Sequence, residues 1–207
     1  MIEGDSEEYD LFRKWTKDFD CQGYYSCEIG VRQGFSSKII MDSVKNNFLH
    51  IGVDPYGDRK YEHFDKNSGI KHKDGISPTY PDSMRDAMLQ DFKWYLNSGK
   101  FRFHNMTDTE FMKHPHYNES KFAFVMLDGP HTTRDVLTEA VWFANKAAPT
   151  CRIVFDDWIT YKMPIVLDAM KEFGFEVVET GRLKLLMEKN VNWYSFQWYY
   201  KKFDSQT

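Results

Sequence analysis

No apolar run in the 207-residue sequence is longer than the six residues from Phe122 to Leu127, far short of the ~20 that a membrane-spanning helix needs. A transmembrane span is therefore excluded and no membrane partner is expected. The opening MIEGDSEEYD lacks the basic segment and apolar stretch of a secretory signal, and it is too acidic for a transit peptide. The chain reads as cytoplasmic. Cysteine is scarce: Cys21, Cys27 and Cys151 are an odd count without CxxC spacing, which points away from a disulfide framework and from a structural zinc site. Buried thiols are expected. An excess of one charge is also missing, because 27 basic against 31 acidic side chains leave a net charge of −4 and no global footprint for nucleic acid. What is present is ordinary for a folded domain: 42% hydrophobic and 28% charged residues, enough to build one sizeable core.

Strand-like and helix-like periodicities alternate along the chain, which predicts an α/β fold with a mostly parallel sheet. Residues 6–18 read as a helix capped by Ser6, with Leu11, Phe12 and Trp15 on one face. Strands are expected at Tyr24–Ile29, Phe48–Val53, Lys100–His104, Phe122–Leu127 and Arg152–Phe155, followed by a terminal hairpin of Phe175–Glu179 and Leu183–Glu188. Phe122–Leu127, apolar throughout, suits the sheet centre. Between the strands, Ser36 or Ser37 is expected to cap one helix, the Ser83–Asp86 capping box to open a second that runs to Asn97, and Thr132 with Asp135 to open a third. A fourth helix starts near Pro164 and stops at Gly174. The whole of 1–207 is thus one domain with two additions. The insertion at 55–81 is longer than ordinary connections and basic up to residue 73, fitting either a lid or a solvated loop. The extension at 190–207 is strongly aromatic, with seven aromatics among the eleven residues from Trp193 to Phe203; it reads as a strand compatible with packing, a pocket wall or a homo-oligomer contact.

In open α/β sheets, ligands lie beyond the carboxyl ends of the strands near the switch in strand order, so the residues after each strand carry the chemistry. The first strand ends in Glu28-Ile29-Gly30-Val31-Arg32-Gln33-Gly34-Phe35-Ser36 and the second in Asp54, 20 residues past Gly34. Glycines let the turn approach a ligand, and an acid at the second strand end can accept from ribose hydroxyls. A nucleoside-containing cofactor fits. The spacing is not the GxGxxG of dinucleotide binding, and a carboxylate at Glu28 would repel a phosphate, so NAD is disfavoured. Two further strands end in Asp128-Gly129-Pro130-His131 and in Asp156-Asp157. Three carboxylates there would raise one another's pKa unless a cation neutralised them, and Mg²⁺ is the natural hard ion. Capping of the following segment is the alternative for Asp156 and Asp157. His131 is placed to accept a substrate proton near neutral pH, or else to act as an ordinary supporting histidine. The pair His114 and His116 reads as surface.

Taken together, Glu28, Gly30 and Gly34 with Asp54, the Asp128-Gly129-Pro130-His131 segment and Asp156-Asp157 resemble the class I S-adenosylmethionine-dependent methyltransferases. The similarity is greatest to the macrocin-type O-methyltransferases of methyltransferase family 24 and spans roughly residues 22–188. It implies a doubly wound, Rossmann-like seven-stranded sheet with a terminal antiparallel hairpin. S-adenosylmethionine, and S-adenosylhomocysteine as product, would lie on Glu28, Gly30, Gly34, Ser36, Asp54, Thr107 and Asp128. Mg²⁺ would lie on Asp128, Asp156 and Asp157, with His131 and Asp128 catalytic. The expected reaction is O-methylation of a small hydroxylated acceptor, such as a sugar or sugar-linked metabolite. Its rivals are a metal-independent methyltransferase for another nucleophile and a non-catalytic nucleoside-cofactor module.

Overall fold

The computed structural model describes residues 8–17, 19–57, 60–62 and 76–189. Helix α1 (Tyr9–Thr16) turns Phe12 and Trp15 inward. It is followed by β1 (Tyr25–Ile29), α2 (Phe35–Ser43) and β2 (His50–Val53). The short antiparallel pair β3 (Lys60–Glu62) and β4 (Ile76–Pro78) lies in the insertion. Then come α3 (Asp82–Asp91), α4 (Lys93–Asn97), β5 (Phe101–His104), α5 (Asp108–Met112) and β6 (Phe122–Leu127). The chain continues through α6 (Thr133–Asn145), β7 (Ala147–Phe155), α7 (Met163–Lys171), β8 (Phe175–Thr180) and β9 (Leu185–Lys189). Seven strands form one sheet in the order β5-β2-β1-β6-β7-β9-β8. The first five are parallel, and β9 is antiparallel to both of its neighbours, β7 and β8.

The doubly wound expectation holds, and the reason is visible in β6. All six of its residues are buried. Val125 and Leu127 pack on one face with Val136, Ala140 and Phe143 of α6 and Met163 and Val166 of α7. Phe124 and Met126 pack on the other with Phe12, Trp15, Ile39 and Ile40. Burying each such side chain contributes ~1.5–3 kcal/mol. Among the described residues, no helix is long and apolar enough to cross a membrane.

Several local expectations are corrected. Neither Ser36 nor Ser37 caps α2; Gly34 holds the N-cap in the left-handed region (φ 83°), and the serines turn to Glu28 instead. No capping box opens α3: Pro81 is its N-cap, with Ser83 already inside the helix. The helix does not reach Asn97 unbroken, because Phe92, at φ −90° and ψ 6°, separates α3 from α4. Strand β7 begins at Ala147 rather than Arg152, since Ala147 pairs with Phe122. Thr132 does cap α6, accepting from the Asp135 N–H, and Gly174 does sit at φ 79° after α7. The Ser6 cap, most of the 55–81 insertion and the aromatic 190–207 segment with its proposed self-association lie outside the described residues.

The N-cap of α1 is Glu8, whose carboxylate accepts from the backbone N–H groups of Arg182 (2.6 Å), Leu183 (2.8 Å) and Lys184 (2.9 Å) in the β8–β9 turn. Burial works to raise this carboxyl, but the three amides outweigh it and hold it below its ordinary value of 4.5. Glu8→Ala should lower stability by about 1–3 kcal/mol, the usual result of leaving donors without a charged acceptor. A depressed folded pKa stabilises above the unfolded value and is lost as pH falls through the folded one. The gap between variant and wild type in denaturant melts should therefore be full at pH 7 and shrink in acid.

Candidate active site at the carboxyl edge of the sheet

Strand register brings the separate motifs level. Ile29 pairs with Val53 on one side and with Leu127 on the other, Val53 with His104, and Leu127 with Phe155. The residues that follow, Gly30, Asp54, Asn105, Asp128 and Asp156, therefore line one edge of the sheet. The pairing continues into them: Gly30 N–H donates to the Val53 carbonyl (2.9 Å), Asp128 N–H to that of Ile29 (2.8 Å) and Asp156 N–H to that of Leu127 (2.9 Å). The chain leaves β1 for β2 on one side and returns to β6 on the other, so the switch point lies between Gly30 and Asp128.

The two glycines of the turn are needed for packing as much as for access. At Gly30 (φ 88°) a Cβ would lie 2.0 Å from the Asp128 carbonyl oxygen, and at Gly34 it would lie 2.6 Å from the Phe92 ring. Asp54 braces the turn from β2 by accepting from the Arg32 N–H at 2.8 Å. Burial pushes its carboxyl up to about 6, although the backbone amides of Arg32 and Val31 work the other way. Tyr56 ties the insertion to the same turn: its hydroxyl donates to the Arg32 carbonyl and its N–H to Asn105 Oδ1. Gly57 N–H then bonds the Tyr80 carbonyl at 2.8 Å, so the insertion leaves and re-enters the fold beside Arg32.

Glu28 is buried at the base of the turn, and sequence reading missed what holds it. Asn47 Nδ2 donates to Ser26 Oγ (2.7 Å), which bonds His50 Nδ1 (2.8 Å); His50 Nε2 bonds Ser37 Oγ (3.0 Å), which donates to Glu28 Oε2. Burial drops the His50 imidazole to about 3, so the ring is neutral. A chain of donors running toward Glu28 then places the proton on Nε2. Burial raises Glu28 well above its usual range, opposed by Ser37 and Ser36. The signals in sequence were the polar residues Ser26, Glu28 and His50 within strands, and these do not reveal pairing.

Thr107 is less available than its position implied. Its hydroxyl accepts from the Glu110 N–H while the Glu110 carboxylate accepts from the Thr107 N–H, a capping box that opens α5. His116 is exposed, as expected, and His114 half-buried.

Beyond β6 and β7, the structure brings the remaining candidates together. His131 Nε2 lies 3.4 Å from Asp128 Oδ1 and its Nδ1 3.1 Å from Asp157 Oδ2. Burial would lower the imidazole, but Asp128 and Asp157 outweigh it and raise it to about 9. His131 therefore holds its proton more tightly than a free imidazole does. Asp157 sits in the left-handed region at φ 47°. Asp156 Oδ1 accepts from Lys184 Nζ at 2.6 Å, and its carboxyl is raised by burial and by Asp128 against the pull of Lys184. The acids already have partners within the chain, which one shared Mg²⁺ does not fit as they stand: Asp156 bonds an ammonium and meets Asp128, and Asp128 and Asp157 flank the imidazole. Among the described residues, no three His, Cys, Asp or Glu side chains converge as a metal site requires. An adenosyl group does fit, because two carboxylates bordering a glycine turn suit the hydroxyls and amino group of an adenosyl amino acid.

A seven-stranded sheet with a terminal antiparallel pair and a glycine turn at its switch point defines a class I methyltransferase fold. A family model described as a methyltransferase domain matches residues 27–158, well over half of the chain, which therefore belongs to that family of S-adenosylmethionine-dependent enzymes. No curated protein matches the sequence. Among solved structures, the chain is similar to an O-methyltransferase from Bacillus cereus in complex with SAH (11% identity, 90% of this chain and 82% of that one, TM-score 0.56). It is also similar to the O-methyltransferase TomG from Streptomyces achromogenes in complex with SAM (10% identity, 91% and 82%, TM-score 0.55). A rRNA methylase proposed for Clostridium thermocellum has the same fold (10% identity, 90% and 98%, TM-score 0.55). At these identities the likeness is one of fold alone.

Proposed function

We propose that the chain methylates a hydroxyl oxygen of a small acceptor, of the sugar or sugar-linked kind, in the cytoplasm. The observation that carries this reading is His131, bracketed by Asp128 and Asp157 beside the switch point. The O-methyltransferases of similar fold from Bacillus cereus and Streptomyces achromogenes support the choice of oxygen, and the net charge of −4 supports a small molecule over nucleic acid. When bound, S-adenosylmethionine supplies an electrophilic methyl group. Glu28, Gly30 and Asp54 hold and orient the donor, with Gly34 and Ser36 shaping the turn. His131, once deprotonated, takes the acceptor proton at Nε2, the nitrogen with the longer contact, while Asp157 at Nδ1 fixes the ring in place. Transfer is then mainly a matter of positioning.

Calorimetry with S-adenosylhomocysteine tests the cofactor part. Asp54→Ala should weaken binding by about 1–3 kcal/mol, the usual effect of leaving polar groups unpaired. Ionised Asp54 is the better acceptor, so wild-type affinity should rise as pH passes through about 6, a dependence that Asp54→Ala removes. Unchanged affinity in the variant, or tighter binding of NAD than of S-adenosylhomocysteine, would refute the assignment.

A further inference from the structure

Lys184 is a lysine with no exposed surface, and its place follows from the terminal hairpin. In the β7–β9 pairing Phe155 lies opposite Leu185, so one further step along the ladder sets Lys184 opposite Asp156. Its ammonium reaches Asp156 Oδ1 at 2.6 Å and lies 5.8 Å from the Tyr9 ring centroid. Its backbone is fixed from both sides: the N–H donates to Glu8 Oε2 and the carbonyl accepts from the Gly181 N–H at 2.7 Å. Lys184 thus has neither the exposure nor the slack of a surface lysine that swings toward any nearby acid.

We propose that Lys184 is the resident counter-cation of the strand-end acids and takes the place that a divalent ion would otherwise fill. The inference rests on the methyl-transfer reading. Asp128, Asp156 and Asp157 would need a cation to sit together at the ends of adjacent strands. Lys184 meets that need from within the chain on the Asp156 side, and His131 lies between the other two carboxylates. A hard ion at Asp156 would have to share the carboxylate with a fully buried ammonium or displace it, and displacement leaves a buried charge unpaired. Lys184 is a positioning residue: it sets the direction of the Asp156 carboxylate and neutralises it, while the proton is handled at His131.

The test is a titration of the full chain with Mn²⁺, followed by the electron paramagnetic resonance signal of the free ion, with S-adenosylhomocysteine calorimetry on the same samples. Wild type should leave the Mn²⁺ signal unchanged and bind S-adenosylhomocysteine equally well with and without chelator. Lys184→Met keeps the length of the side chain but leaves Asp156 beside Asp128 without its cation, and it should gain a stoichiometric Mn²⁺ site at least ten times tighter than any in wild type. Lys184→Arg, which retains the charge, should not. Stoichiometric Mn²⁺ binding by wild type that disappears in Asp156→Asn would overturn the proposal, as would a folded Lys184→Met without a gained site. If Lys184→Met does not fold, the wild-type and Asp156→Asn titrations decide alone. A wild type that binds neither Mn²⁺ nor S-adenosylhomocysteine overturns the methyltransferase reading and this inference with it. One that binds both overturns only the role given to Lys184.

Discussion

Gly30→Ala should remove measurable S-adenosylhomocysteine binding and lower the unfolding free energy by about 2–5 kcal/mol. Two costs combine. A non-glycine residue at a left-handed φ loses roughly 1–2 kcal/mol, and forcing an atom into packed structure adds about 1–3 kcal/mol. The second applies because the new Cβ would lie 2.0 Å from the Asp128 carbonyl oxygen. That carbonyl cannot easily retreat, since Asp128 N–H is bonded to the Ile29 carbonyl and Gly30 N–H to that of Val53. Gly23 supplies the control: its φ is 80°, yet nothing lies within 4 Å of its added Cβ. Gly23→Ala should show the conformational cost alone and leave binding intact. Equal losses for the two variants in denaturant melts would mean that the contact between the β1 and β6 turns has no special weight.

His131→Gln should lower methyl transfer by about 100- to 10,000-fold, the range that a positioned base contributes, while S-adenosylhomocysteine still binds. The wild-type rate, followed by transfer of labelled methyl to hydroxylated acceptors, should climb with pH toward about 9, where the imidazole loses its proton. Stability should move in the opposite direction. The folded pKa of His131 lies above its ordinary value of 6.5, so its ion pairs stabilise fully below about 6.5 and are lost as pH rises through about 9. Faster turnover and weaker folding should therefore appear together on the alkaline side, and both should vanish in His131→Gln. A flat pH profile in wild type would remove His131 from the proton-transfer role.

Sequence made the layers legible because patterning reports burial. Phe122–Leu127 announced a central strand by being apolar at every position, and the strand-end acids stood out because charge interrupts those runs. Caps were less legible. Ser36 and Ser37 have the chemistry of an N-cap, but Glu28, buried eight and nine positions earlier in the chain, competes for their hydroxyls and wins. Thr107 has the chemistry to meet a ligand, but its hydroxyl also caps α5 at Glu110, three residues on. The site's electrostatics were least legible of all. Lys184 is unremarkable in sequence, and only the antiparallel register of β7 with β9 brings it to Asp156. The two aspartates around His131 come from separate parts of the chain, Asp128 three residues before it and Asp157 just past β7, so the sequence does not show that they flank one ring.

The bonds from Glu8 to the β8–β9 turn span 174 to 176 residues. Closing so long a loop is entropically costly until the strands between its ends are already paired, and contacts of high sequence separation slow folding. On a ribosome the α1 segment is made early, but the turn that Glu8 holds, with Lys184 in it, emerges only after every parallel strand has been made. The acids at the ends of β6 and β7 are therefore synthesised before their lysine, and the order of synthesis makes the docking of the last hairpin the step that completes the site.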